Sequence, residues 1–384
     1  MIKNFIWALI NSSSSAIVAI IPISIISRYI DPISFLELST IILMSSLGNV
    51  LIDFGHSQKC YLKKNTGDRL FRVVESYMLF RTLIVILIIF IFAIYKNYLI
   101  KYELLAMLMI FGSSIVFFTN FRLNYTFNKL KLFKLKAKYS FISSFLSSLI
   151  ACIITVFINP NIGYVLFVFL NPLILGILMR NYLKIKLPKL LMKIDLNLDQ
   201  LLKIEFIYQL IENIDDLLKR LIFQSLTNVD LAAIYLRNES FLYSPFKIIN
   251  KSFERVLLAT WGPKKDIKKR IIIIFSLLII AGSLLVGILS GTFGKFISKV
   301  FLGNQWGMNS YLFGIASFYI SMRIIGLNLG NLIKVKLKRF NLLVITSLIA
   351  SILPILIIFF IKGSNLFLVV LIYCIGAFIK NTIL

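Results

Sequence analysis

The sequence predicts an all-α polytopic membrane protein with about twelve transmembrane helices, arranged as two pseudo-symmetric lobes of six helices. Its 384 residues are 59% hydrophobic and only 15% charged, whereas about a quarter of the residues of a soluble domain are charged. Apolar runs of roughly 20 residues, the length that crosses a hydrocarbon core of about 30 Å, recur from end to end. The mean hydropathy of +0.90 indicates the same class. A single soluble core is excluded, because no globular surface could cover so much apolar area.

Twelve predicted helices account for these runs. A weak internal repeat relates residues 121–134 to residues 325–339, where Leu-Asn pairs and basic tails correspond at an offset of about 200 residues. The longest stretch outside the helices lies at the midpoint. We therefore expect an amino-terminal lobe over 1–182, a basic cytoplasmic connector over 183–203 and a carboxyl-terminal lobe over 204–384. The predicted helices cover residues 7–30, 34–54, 74–95, 102–124, 139–158, 161–182, 204–228, 231–259, 271–290, 309–333, 341–361 and 365–382.

The loops between the predicted helices alternate between strongly basic and nearly neutral. Loops 2–3, 4–5, 6–7, 8–9 and 10–11 each carry four or five Lys or Arg residues. Cytoplasmic loops concentrate positive charge, so we expect both termini on the cytoplasmic side. This distribution accounts for the net charge of +26 without nucleic acid. The nearly neutral turns are Asp31–Pro32, Asn159–Pro160, the turn near Asn228, and Lys362–Gly363.

Predicted helix 7 carries an unusual number of charges for a membrane helix. One interpretation is self-neutralisation, because acidic-to-basic pairs four residues apart begin at Asp215 and at Asp216. The other is that the charged stripe lines a central cavity. We favour the cavity, because Glu205 and Glu212 have no basic partner on this helix. The charged residues are Glu205, Glu212, Asp215, Asp216, Lys219 and Arg220.

Predicted helix 8 has a polar face of the opposite sign. Arg237, Lys247 and Lys251 lie along it, and Pro245 predicts a kink at mid-span. Lys251 fits either the cavity or an interfacial position reached by its long apolar stem. Glu239 lies on another face and is a candidate partner for Arg237.

The first half of the chain has a similar polar face with fewer charged residues. Arg28 ends predicted helix 1 and fits either a cavity or an interfacial anchor, and Asp53 ends predicted helix 2. The polar faces thus fall on helices 1, 2, 7 and 8, which are matched positions in the two halves. Such an excess of cations suits an anion, phosphate above all, because Arg binds phosphate through a bidentate fork and Lys as a point charge.

No sequence feature indicates catalysis or a metal centre. Cys60, Cys152 and Cys374 are scattered and His56 is the lone histidine, so neither a disulfide framework nor a metal site is predicted. No nucleotide-binding fingerprint occurs. Loop 291–308 has no acidic residue, which disfavours a membrane-embedded glycosyltransferase or polymerase. We therefore expect a transporter rather than an enzyme, with no catalytic residues and no cofactor.

Three stretches resemble the Wzx-type polysaccharide flippases of the multidrug/oligosaccharidyl-lipid/polysaccharide exporter superfamily. The family's first helical hairpin resembles residues 27–64, SRYIDPISFLELSTIILMSSLGNVLIDFGHSQKCYLKK. Its helix 7–8 hairpin is similar to residues 213–261, NIDDLLKRLIFQSLTNVDLAAIYLRNESFLYSPFKIINKSFERVLLATW. Its Leu-Gly-x-x-Trp element resembles FLGNQW at 301–306. The chain departs from the family after Arg28, where residues 29–32 (YIDP) replace a turn that usually holds glycine.

This resemblance implies an inverted-V exporter fold and alternating access. The transported substrate would be a polyprenyl-diphosphate-linked oligosaccharide, such as an O-antigen repeat unit, which moves from the inner to the outer leaflet of a bacterial cytoplasmic membrane. The partners would be this glycan, the membrane lipids, and the polysaccharide polymerase and chain-length machinery. The cations expected to contact the diphosphate or balance lumen charge are Arg28, Lys219, Arg220, Arg237, Lys247 and Lys251. The acids expected to bind sugar hydroxyls or a coupling ion, H⁺ or Na⁺, are Asp53, Glu205, Glu212, Asp215 and Asp216.

Other functions stay open from the sequence. A drug/cation antiporter of the same fold would have an acidic and aromatic cavity without the basic face of predicted helix 8. A lipid II-type flippase would share the mechanism. An integral-membrane glycosyltransferase or polymerase is the alternative enzyme class.

Overall fold

A computed structural model describes residues 18–53, 68–129, 132–184, 200–225, 228–243, 269–308, 310–332, 340–361 and 365–383. All the regular secondary structure in these ranges is helical. We number the helices α1 to α12 in chain order. They are α1 Val18–Tyr29, α2 Pro32–Asp53, α3 Asp68–Tyr95, α4 in the pieces Tyr98–Lys101, Glu103–Met107, Leu108–Gly112 (a π-helical turn) and Ser113–Lys129, α5 Phe133–Phe157, α6 Pro160–Leu183, α7 Gln200–Gln224, α8 229–243, α9 Lys269–Leu302, α10 Ser310–Leu332, α11 Phe340–Ile361 and α12 Leu366–Ile383.

Each helix overlaps one of the twelve predicted helices, and the predicted fold class is confirmed. α9 continues to Leu302, so most of the predicted loop 291–308 is helical. Seven helices in the described part of the chain contain a segment long and apolar enough to cross a membrane, and α1, α10 and α11 contain shorter apolar segments. On α3, Leu83, Leu87 and Ile91 recur every four residues and are exposed. Such a stripe suits contact with lipid, since it has no apolar protein surface to cover it.

Each of the four nearly neutral turns ends with an Asp or Asn whose side chain caps the start of the next helix. Asp31 Oδ1 accepts the Ser34 amide at 2.8 Å, directly before α2. The Asn159 side chain accepts the first free amides of α6, and both of these caps are followed by a proline, which suits the first helical position. Asn228 Oδ1 accepts the Leu231 amide at 2.9 Å before α8, and Asn365 Oδ1 accepts the Phe367 amide at 2.9 Å before α12. The short turns therefore restart a helix at once.

The chain forms two compact units. The carboxyl-terminal unit combines Met1–Leu36 with Leu218–Leu384, and the amino-terminal unit is Glu37–Leu217. This division differs from the predicted lobes of 1–182 and 204–384, because α1 groups with the carboxyl-terminal unit and the first part of α7 groups with the other. The first difference is explained by hydrogen bonds between distant parts of the chain: the last turn of α1 is hydrogen-bonded to residues 300–306 and to α8. Most of the predicted connector, 185–199, lies outside the described residues.

Each unit has its own apolar core. In the carboxyl-terminal unit, α8, α10 and α12 contribute buried residues to one apolar cluster, including Ala232, Ala316 and Val369. In the amino-terminal unit the core of α2, α3 and α4 centres on side chains such as Ile52 and Met78.

Candidate functional site

A buried ion pair joins α7 to α8 in the carboxyl-terminal unit. Lys219 Nζ donates a hydrogen bond to Glu239 Oε2 at 2.6 Å, and the two side chains are only 3% and 7% exposed. Charged side chains within membrane helices are expensive, so they usually face a bundle interior or a water-filled cavity and mark functional sites. The pair neutralises itself, which makes its burial between the helices tolerable.

Aromatic rings surround the ammonium of this pair. Tyr319 on α10 is the nearest, with its ring centroid 4.1 Å from Lys219 Nζ. Three further ring centroids lie at 5.4, 5.5 and 5.7 Å and belong to Tyr373, Tyr235 and Phe223. All four distances are within the range in which a ring face attracts a cation. We call Glu239 and these four rings the ammonium pocket.

Arg323 on α10 adds a second cation beside Glu239. Its Nη1 lies 3.7 Å from Glu239 Oε1, and its side chain is 20% exposed. The guanidinium also lies over the Tyr243 ring, 4.9 Å from its centroid. One carboxylate and two cations give these three groups a net charge of +1, and Arg323 is the more exposed of the two cations.

Arg237 binds the last turns of α1. Its Nε donates to Ser27 Oγ at 3.0 Å and its Nη2 donates to the Ile23 carbonyl oxygen at 3.1 Å and to Ser27 Oγ. The guanidinium lies over the Phe35 ring at 4.7 Å and near the Trp306 ring at 5.9 Å. The side chain is buried. These contacts hold α1 against α8.

The turn after α9 adds further hydrogen bonds to the end of α1. Trp306 Nε1 donates to the Ser27 carbonyl oxygen at 2.5 Å, and Gln305 Nε2 donates to the Ile30 carbonyl oxygen at 3.1 Å. Carbonyls at the end of a helix lack intrahelical partners, so these donors satisfy the end of α1. Arg28 is exposed and donates to the Val300 carbonyl oxygen at 3.0 Å. Gly303 has φ +103°, a conformation in which a side chain would be strained.

In the amino-terminal unit, Asp53 is buried and attracts Arg81 electrostatically. At the other end of α2, Glu37 Oε2 accepts hydrogen bonds from Lys101 Nζ at 2.6 Å and from the Tyr102 hydroxyl at 2.7 Å. The hydrogen bond to Glu37 raises the pKa of Lys101 above its ordinary value. Both acids therefore lie beside a basic group.

The structure pairs the predicted site residues differently from the expectation. Lys219 pairs with Glu239 across two helices, whereas sequence spacing suggested Asp215 on the same helix. Glu239, expected beside Arg237, contacts Lys219 and Arg323. The physical reason is that helix rotation, set by packing, decides which faces meet.

The structure describes some of the remaining predicted site residues and not others. Asp215, Asp216 and Arg220 are half-buried on α7. Glu205 and Glu212 are part of α7, but the structure does not describe their side chains. Lys247 and Lys251 lie outside the described residues altogether.

Arg323, Tyr319 and Tyr373 were missed by the sequence reasoning. A signal for Arg323 existed, because it is the only charged residue of the apolar helix α10, and an isolated charge of this kind is itself a functional-site hypothesis. The tyrosines gave no signal, since aromatic residues are common throughout this chain. No group of three His, Cys, Asp or Glu side chains that could hold a metal occurs among the described residues.

Comparison with known proteins identifies the fold. No protein-family model matches the chain, and no curated protein matches it significantly. The MATE multidrug transporter DinF-BH, solved in complex with rhodamine 6G, matches with a TM-score of 0.62 at 17% identity, over 99% of this chain and 92% of that one. The eukaryotic MATE transporter AtDTX14 matches with a TM-score of 0.56 at 13% identity, over 99% and 94%. An inward-facing MATE family transporter of the MOP superfamily matches with a TM-score of 0.54 at 12% identity, over 98% and 96%. The chain therefore has the fold of the MATE transporters of the MOP superfamily.

Proposed function

We propose that this protein is an alternating-access transporter that moves an anionic lipid-linked oligosaccharide across the cytoplasmic membrane. The transporter part rests on the fold, which it shares along nearly its whole length with MATE transporters. Transport, rather than an enzymatic reaction, is the activity that this fold supports. We further propose that both termini are cytoplasmic, as the basic loops indicate.

The charge of the carboxyl-terminal unit is the observation that supports an anionic substrate. Two cations, Lys219 and Arg323, lie beside the single carboxylate of Glu239, so positive charge exceeds negative charge among these three groups. A guanidinium offers several donors to phosphate oxygens, so Arg323 suits the diphosphate of a polyprenyl-linked glycan. Arg237 is engaged with neutral oxygens of α1, and we therefore assign it to holding the fold rather than to the substrate.

A drug/cation antiporter is the second candidate function. Two of the solved structures with this fold favour it, because they are structures of multidrug transporters, one of them in complex with rhodamine 6G. On likeness of fold alone it has closer support than the flippase. The charges favour the flippase: the two buried carboxylates among the described residues, Asp53 and Glu239, both have basic neighbours. Each of these two carboxylates is therefore partly neutralised, which makes it a weaker site for a cationic drug.

Lipid extraction from cells in which this gene is deleted tests the proposal. We expect complete oligosaccharide units to accumulate on the polyprenyl carrier while the surface polysaccharide disappears. Incomplete units on the carrier would indicate a glycosyltransferase. Unchanged pools, together with new sensitivity to cationic drugs, would replace the flippase with the antiporter. The coupling ion, H⁺ or Na⁺, belongs to the same proposal and would be tested by collapsing each gradient separately.

A further inference from the structure

We propose that the ammonium pocket is a binding site for a primary ammonium ion, which the chain fills with its own Lys219 side chain. The proposal concerns the chemistry of this pocket and does not depend on which substrate the protein transports. It follows from the groups that line the pocket, from the helices that supply them, and from comparison with a second, exposed ion pair that has only one ring beside it.

The parts of the pocket match a primary ammonium ion. Glu239 Oε2 accepts a hydrogen bond of 2.6 Å from Lys219 Nζ, so the bound cation must carry an N–H donor. The other sides of the nitrogen face rings, with Tyr319 at 4.1 Å and Tyr373 at 5.4 Å. A quaternary ammonium ion could contact the rings but could not donate to the carboxylate. The pocket therefore favours an ammonium with hydrogens over one without.

Apart from Phe223, which shares α7 with Lys219, the walls of the pocket come from helices other than the one that supplies the cation. Tyr235 and Glu239 belong to α8, Tyr319 to α10 and Tyr373 to α12, whereas Lys219 belongs to α7. These wall residues are buried and belong to the apolar core of the unit, apart from Glu239, which Arg323 also contacts. Shortening the Lys219 side chain should therefore leave Glu239 and the rings in place. The atoms that are removed should leave a cavity of their own size.

A second lysine–glutamate pair serves as a comparison within the same protein. Lys101 Nζ also lies 2.6 Å from its carboxylate, Glu37 Oε2, but the Lys101 side chain is 52% exposed. One ring, Tyr102, lies 5.2 Å from that ammonium. The two pairs have the same hydrogen-bond length, so burial and the number of rings distinguish them. Removal of Lys101 should leave an open surface, not a pocket.

Binding of n-propylammonium to the Lys219→Ala variant tests the proposal. Alanine lacks Cγ, Cδ, Cε and Nζ of the lysine, and n-propylammonium supplies three carbons and a nitrogen in their place. We would measure the thermal unfolding of the purified variant in detergent with n-propylammonium, tetramethylammonium or sodium chloride at equal ionic strength. We expect n-propylammonium to raise its unfolding temperature by about 2–4 °C more than the other two salts do. Wild type, Lys219→Met and Lys101→Ala should show no such difference.

An equal response of Lys219→Ala to all three salts would overturn the proposal, as would an equal response of Lys101→Ala to n-propylammonium. If Lys219→Ala does not yield folded protein, acetylation of the wild type in detergent provides the test. Lys219 should be acetylated at least about tenfold more slowly than Lys101, and the Tyr319→Leu variant should lose part of this protection. Acetylation of both lysines at the same rate would contradict a filled pocket.

Discussion

Lys219 on α7 and Glu239 on α8 form a 2.6 Å ion pair within the carboxyl-terminal unit, although 20 residues separate them in the sequence. Both side chains are almost fully buried. A buried pair of this kind holds two helices in one rotational setting, because any rotation would leave a charge in an apolar interior without its partner.

Glu239→Gln should destabilise the protein strongly, since it leaves Lys219 and Arg323 beside each other without a carboxylate. Loss of one partner of a buried pair costs about 3–5 kcal/mol. The double variant Lys219→Met with Glu239→Gln should recover part of this loss, because one unpaired cation is removed. Thermal unfolding of the purified variants in detergent checks both expectations. A double variant that is less stable than Glu239→Gln would contradict them.

Arg237→Met should lower the amount and the stability of folded protein. The guanidinium donates to Ser27 Oγ and to the Ile23 carbonyl oxygen, and a hydrogen bond from a charged group contributes about 1.5–3 kcal/mol. Arg28→Met is the matched control, because Arg28 is exposed and should change stability by less than about 1 kcal/mol. Normal stability of Arg237→Met combined with lost transport would assign Arg237 to the substrate instead of to the fold.

Gly163→Ala should destabilise the contact between α5 and α6. A Cβ at this position would overlap Thr155 Oγ1 and would lie 3.0 Å from the Ala151 carbonyl oxygen, so backbone must move. Overpacking of this kind costs about 1–3 kcal/mol. Gly314→Ala is the control, because no atom lies within 4 Å of its Cβ and alanine favours the helix. Thermal unfolding should separate the two variants, and equal stability would refute the close packing.

The contribution of Lys101 to stability should depend on pH in one direction. Its hydrogen bond to Glu37 raises its pKa above the ordinary 10.5. A base with a raised pKa in the folded state stabilises below its unfolded pKa and loses this effect as pH rises through the folded pKa. The difference in unfolding temperature between wild type and Lys101→Met should therefore be small and constant near neutral pH and should shrink above 10.5. A difference that grows with pH would contradict the ion pair.

The helices and turns could be predicted because their signals are local. Apolar runs of membrane length gave the twelve helices, and pairs such as Asp31–Pro32 combine a capping side chain with a residue suited to the first turn. The division into units could not be predicted in the same way. It depends on hydrogen bonds between α1 and the turn at Gln305–Trp306, which lies some 280 residues further along the chain.

The candidate site could be predicted only in part. Lys219 was predicted as one of six charged residues on predicted helix 7, because so many charges within a membrane helix are unusual. Its partner could not be identified, since Asp215 is the natural choice by spacing and Glu239 becomes the partner through the packing of α7 against α8. Arg323 is different: its isolated charge was visible in the sequence and its importance was overlooked.

Transport by the purified protein tests the central claim most directly. Proteoliposomes would contain either a fluorescent polyprenyl-diphosphate-linked oligosaccharide or encapsulated rhodamine 6G, and they would carry wild type, Arg323→Gln or the control Lys101→Gln. We expect wild type and Lys101→Gln to move the lipid-linked oligosaccharide between leaflets and Arg323→Gln to do so about tenfold more slowly, in line with the loss of one charged contact to phosphate. Export of rhodamine 6G without movement of the oligosaccharide would contradict the flippase and support the antiporter.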